Sequence, residues 1–91
     1  MSQFLGMNPD VVEQIGRDLK GQASQIAGVI SKVNSLVAQA QNEWKGKDAT
    51  DFAGWWNNEH RPRLTELQRK LEGLGQSAQN NATEQRNVSG H

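Results

Sequence analysis

Apolar residues recur at alternating steps of three and four in two segments of the chain, separated by a short polar interval. The first series is Val12, Ile15, Leu19, Gln22, Ile26, Val29, Val33, Leu36 and Ala40, broken only by Gln22. The second is Phe52, Trp55, Trp56, His60, Leu64, Leu67, Leu71, Leu74 and Ala78, regular from His60 onward. A sustained 3-4 spacing is the seam of a helix that packs on another helix. Beside the first series runs a second row, Gly16, Ala23, Ile30 and Val37, which widens the stripe enough to touch two neighbours. The β-branched residues also fall at helical spacing, so no strand is predicted.

The boundaries carry their own signals. Asn8-Pro9-Asp10 reads as a helix start, with Asn8 capping free amides, Pro9 in the first helical position and Asp10 placed where the helix dipole favours an anion. The periodicity stops at Gln41–Lys47, where Gly46 suits the left-handed conformation that ends a helix. Asp48 is then the expected N-cap of the next helix, with Asp51 completing an acidic first turn. Inside the second helix Pro62 removes a donor and predicts a kink. The reading is therefore one domain, 1–91: helix 1 over 8–42, turn 43–47, helix 2 over 48–80 with a kink at Pro62, and a flexible polar tail 81–91. Glu13–Arg17, Glu59–Arg63 and Glu66–Lys70 are i,i+4 pairs that favour helix. Gly16, Gly21 and Gly28 each cost helix 1 roughly 1 kcal/mol relative to Ala. They either permit close helix approach or loosen its N-terminal half.

Two helices of similar length joined by a short turn make an antiparallel hairpin. The fold expected is all-α, a two-helix hairpin that dimerises into a four-helix bundle because one hairpin leaves much of its stripe uncovered. The expected packing interface is Val12, Ile15, Leu19, Ile26, Val29, Val33 and Leu36 on helix 1, with Phe52, Trp56, Leu64, Leu67, Leu71 and Leu74 on helix 2. Of the adjacent tryptophans, Trp56 is expected inward, in an i,i+4 row with Phe52, His60 and Leu64.

Composition agrees with an extended or oligomeric form. Only 34% of the 91 residues are apolar and 22% are charged, lean for a compact monomer that must offset roughly 1–2 kcal/mol of ordering entropy per residue. Ten basic and ten acidic residues give zero formal net charge. No basic stripe marks a nucleic-acid binder, and no Lys-rich amphipathic face marks a membrane binder. There is no cysteine, no positively charged leader ahead of Phe4-Leu5, and no run of about 20 apolar residues to span a membrane. By general rules alone that combination reads as cytoplasmic.

Candidate chemistry is sparse. His60 stands without a nucleophile, an orienting acid or further ligands. Asp48 and Asp51 are better explained by the helix start, and Gly73-Leu74-Gly75 lacks the third glycine and the Lys-Ser/Thr of a phosphate loop. No enzymatic activity, cofactor or metal is expected.

The Trp44-Lys45-Gly46 turn, central between two matched amphipathic helices, resembles the WXG100 (ESAT-6-like) family, and the likeness covers essentially the whole chain. Trp55-Trp56 followed by His60-Arg61-Pro62 is similar to an actinobacterial variant of these proteins. The resemblance implies export through the type VII (ESX) secretion system as a folded homodimer or heterodimer, without a cleaved signal peptide. It also implies recognition by a membrane-associated secretion ATPase. In relatives that recognition uses a C-terminal Tyr-x-x-x-Asp/Glu motif lying near the partner's Trp-x-Gly turn, which makes Trp44 and Gly46 the candidate recognition residues. This chain has no tyrosine. The nearest match is Asn80-Asn81-Ala82-Thr83-Glu84, with Asn80 in the aromatic position. Either a partner carries the signal, or Asn80 and Glu84 form a variant of it, or the chain is not itself secreted. The alternative role is a helper that binds the helical N-terminus of a larger effector and delivers it for export.

Overall fold

The computed structural model describes residues 7–89. Helix α1 spans Pro9–Glu43, α2 Lys47–Trp55 and α3 Arg61–Ser89, with one π-helical turn, Trp56–His60, joining α2 to α3. The second arm is thus helical without interruption from Lys47 to Ser89, and it packs antiparallel against α1. The molecule is a rod of 67 × 16 × 15 Å. No strand occurs among the described residues.

Both ends of α1 follow from local chemistry. Asn8 Oδ1 accepts from the Asp10 and Val11 amides at 3.0 and 3.4 Å, with Pro9 opening α1 where its missing N–H costs nothing. At the far end the Trp44 amide donates to Ala40 O at 2.8 Å. The chain then reverses through Gly46, whose φ of 105° lies in a region that residues with a Cβ rarely adopt. Helix α2 starts at Lys47, so Gly46 and not Asp48 holds the capping position, and Asp48 lies within the first turn. Gly46 O accepts from the Thr50 amide at 3.2 Å and from its hydroxyl at 3.3 Å.

Pro62 is accommodated by widening the helix. Its ring would strike the carbonyl four residues back in a regular α-helix. Here the Arg61 amide donates five residues back, to Trp56 O, and the π turn opens the backbone ahead of the proline. The wider turn inserts one residue into the periodicity. Consequently Trp56 and Leu64 share a row although they are eight residues apart, as do Ala53 and Arg61, and Phe52 and His60. The i,i+4 row of Phe52, Trp56, His60 and Leu64 expected for a regular helix is broken by this step. So is the Glu59–Arg63 pair, which straddles the turn and forms no ion pair. Glu13–Arg17 and Glu66–Lys70, in regular helix, close at 3.2 and 3.6 Å.

The seam of the hairpin runs along the narrower row. Gly16, Ala23 and Val37 are the buried residues of α1, facing Ala49, Ala53, Trp56, Gly75 and Ala82 on the returning arm. Val37, Ala53 and Trp56 form the core near the turn, with Ile30, Val33 and Leu64 packed against it. At the other end the helices touch backbone to backbone. A Cβ on Gly16 would stand 2.7 Å from Gly75 O, and one on Gly75 would stand 2.6 Å from Gly16 O. Gly21, Gly28 and Gly73 face open space. Close approach therefore explains Gly16 and Gly75 and none of the other three.

The polar C-terminal segment does not fray at Asn81. Helix α3 continues through it because Ala82 is fully buried in the seam and Arg86 reaches across to the start of α1, 2.6 Å from Asp10 Oδ1 and 2.7 Å from Glu13 Oε1. Gly90 and His91 lie outside the described residues.

Candidate interaction surface and turn motif

The residues left over from the seam form one face. Leu19, Ile26 and Val33 are half-buried beside it, and Ile15, Val29 and Leu36 stand next to them, exposed. On α3, Leu71 is half-buried while Leu67 and Leu74 are exposed. Counted at about 100° per residue, the exposed rows of both helices turn away from the seam in the same sense along the chain, and because the helices are antiparallel they emerge on the same side of the hairpin. Phe52, brought into line with His60, Leu67 and Leu74 by the π turn, extends this face toward the tip. The opposite side is polar: Lys20 Nζ donates to Gln76 Oε1 at 2.7 Å, and Asn34 sits there beside Trp56.

The expected packing residues therefore divide into two groups. Trp56, Leu64, Leu71, Val12, Leu19, Ile26 and Val33 are buried or half-buried within the hairpin. Ile15, Val29, Leu36, Phe52, Leu67 and Leu74 are exposed and contribute little to it.

At the tip, Trp44 lies with its ring 5.5 Å from Phe52, tilted by 49°, bridging the end of α1 to α2. It remains partly exposed. Trp56 is 9% exposed and Trp55 56%. The Trp56 indole N–H donates to Asn34 Oδ1 at 2.7 Å, which satisfies the polar atom of a buried ring. Trp55 meets His60 edge to face at 4.5 Å, a contact across five residues that the π turn allows. Among the described residues no group of acidic, His or Cys side chains is placed to hold a metal ion.

Asn80 and Glu84 are both exposed on α3, and Asn80 Oδ1 accepts from Gln76 Nε2 at 2.9 Å. They lie at the end of the rod where Arg86 clasps Asp10, opposite the Trp44–Gly46 turn. Arg86 is held above the usual guanidinium range, first by its hydrogen bond to Asp10 and then by that to Glu13. Within one chain, then, the two candidate recognition elements sit at opposite ends of the 67 Å rod.

Three features escape a reading by 3-4 spacing: Asn34, the Gly16–Gly75 contact and the Arg86 clasp. Asn34 carries a usable signal, lying four residues after Ile30 and three before Val37, a helical spacing on the seam row. The clasp has none, since Arg86 and Asp10 are 76 residues apart.

No helix among the described residues is long and apolar enough to cross a membrane. No curated protein and no solved structure matches the chain. The family model described as "WXG100: Proteins of 100 residues with WXG" matches residues 5–87. With the turn motif at the tip of a two-helix hairpin and the match spanning nearly its whole length, the chain belongs to the WXG100 family, the non-enzymatic helical substrates of type VII secretion.

Proposed function

We propose that this protein works as a dimerising type VII substrate without enzymatic activity, pairing through the apolar face of Ile15, Val29, Leu36, Leu67 and Leu74. The observation that carries this reading is the exposure of those five large residues on one side of the hairpin. Singly exposed apolar residues are ordinary, but a contiguous face of them marks an interaction site. WXG100 proteins form dimers, and a four-helix bundle would cover the face with a second copy of this chain or with a paralogous hairpin. An antiparallel pairing also brings one protomer's Trp44 and Gly46 beside its partner's Asn80 and Glu84, which a single rod holds at opposite ends. Asn80 and Glu84 would then serve as the variant export element read by the secretion ATPase.

The test has two arms. Leu67→Asp and Val29→Asp place a charge on the exposed face, not in the seam, so helix content by circular dichroism should persist while light scattering reports loss of the dimer. A variant that keeps its dimer sinks the pairing surface. For export, deleting the type VII ATPase should abolish release into culture supernatant; unchanged release without lysis overturns that part of the reading.

A further inference from the structure

We infer that the outer side of α2 carries a second binding site, adjoining the apolar face at Phe52, for a cationic peptide segment of a partner protein. Asp48, Thr50, Asp51, Phe52, Gly54, Trp55, Asn58 and Glu59 line one open groove of about 670 Å³. Its apolar part is Phe52 and Trp55, and Trp55 is 56% exposed. Its rim carries three carboxylates and no basic residue, in a chain whose formal charge is zero. Lys47 already places an ammonium 2.6 Å from Asp51 Oδ2, so one corner of the rim holds a cation. Among the described residues Asp48 and Glu59 form no ion pair, and both face the same groove.

An exposed indole flanked by carboxylates is suited to a guanidinium or ammonium, which stacks on the ring while its charge is met from the side. Asp48 and Glu59 are eleven residues apart on a helical arm, roughly 16 Å along the axis at about 1.5 Å per residue. Two cationic side chains four residues apart on an extended segment point to the same face about 13 Å apart at about 3.3 Å per residue, their long side chains covering the remainder, with the residue midway between them on that face free to lie on Phe52. The occupant is thus an extended stretch with two arginines or lysines. This inference does not rest on export or on dimerisation.

The test titrates the full chain, labelled with ¹⁵N, with an acetylated and amidated peptide carrying two arginines four residues apart. A control peptide has glutamine at both positions. The expected result is saturable movement of the Trp55 indole N–H and of amides in 48–59, with the Trp56 indole unmoved and no comparable response to the glutamine peptide. Binding should weaken at least tenfold in Trp55→Ala and in Asp48→Asn/Glu59→Gln, both surface changes whose folding is checked by their amide spectra. Equal response to both peptides, or binding indifferent to the double variant, overturns the site. So does a double variant whose light-scattering mass changes while the peptide fails to bind, because the groove would then serve a second copy of the chain. None of these outcomes alters the export assay, so the two readings fail separately.

Discussion

The two ends of the hairpin solve the same packing problem in opposite ways. Near the turn, α1 and the returning arm are held together by side chains: Trp56 fills the space against Val37 and Ala53, and its indole N–H is met by Asn34. Near the termini there is almost no side chain in the seam. Gly16 and Gly75 bring the two backbones into contact, Ala23 and Ala82 continue the narrow lane, and Arg86 fastens the outside. One end is stabilised by burying a large ring, the other by leaving nothing between the helices. A mutation that removes volume should therefore harm the first end, and one that adds volume the second.

The largest effect is expected at the ring. Trp56→Ala should cost about 3–5 kcal/mol, the range for large-to-small changes in a core, and a hairpin with so few buried side chains would show it as a collapse of the thermal melt followed by circular dichroism. Trp56→Phe keeps a six-membered ring and removes the indole N–H together with part of the ring's volume. It leaves Asn34 without its donor and should cost about 1–3 kcal/mol. If Trp56→Ala melts like wild type at equal protein concentration, the turn end is not the anchor described here.

At the other end the sign reverses with residue size. Gly75→Ala and Gly16→Ala each put a Cβ against a backbone oxygen that cannot swing aside. Overpacking of this kind costs about 1–3 kcal/mol, from which the gain in helix propensity, about 1 kcal/mol, must be subtracted. Gly21→Ala, Gly28→Ala and Gly73→Ala meet open space. Each should stabilise by up to about 1 kcal/mol. Five chemically identical substitutions, sorted into two losers and three gainers by melting temperature, test whether the lane is real; five equal gains would show that it is not.

The same contrast explains what the sequence made legible. Two helices, their turn and the apolar character of one side can be read directly, because 3-4 spacing, Pro9 and Gly46 each state a local rule. The choice of seam could not be read that way. The strongest apolar row, with Ile15, Val29 and Leu36, looks like the core, yet the hairpin closes on the smaller residues Gly16, Ala23 and Val37, since small residues let two helices approach. The larger row is left exposed. Nor did the spacing disclose that the second helix skips a residue at Trp56–His60, although Pro62 marks the place and the eight-residue step from Trp56 to Leu64 records it. The Trp44–Gly46 motif was visible at once. The groove of Asp48, Trp55 and Glu59 required knowing which side of α2 faces out.

The smallest effect on global stability is expected from Arg86. Its guanidinium bridges Asp10 and Glu13 at the surface, where water and salt weaken each ion pair, so Arg86→Gln should leave the melting midpoint nearly unchanged. Its consequence should be local. The clasp and the buried Ala82 are what keep α3 helical through a polar segment, and only the clasp is lost in this variant. Amide hydrogen exchange across residues 82–88 should therefore quicken in Arg86→Gln, and quicken in wild type when salt is raised to screen the pairs, while protection of the amides around Val37 and Trp56 stays the same. Unchanged exchange in 82–88 would mean that Ala82 and the glycine lane hold the C-terminal turns unaided, and the terminal end of the hairpin would then depend on backbone contact alone.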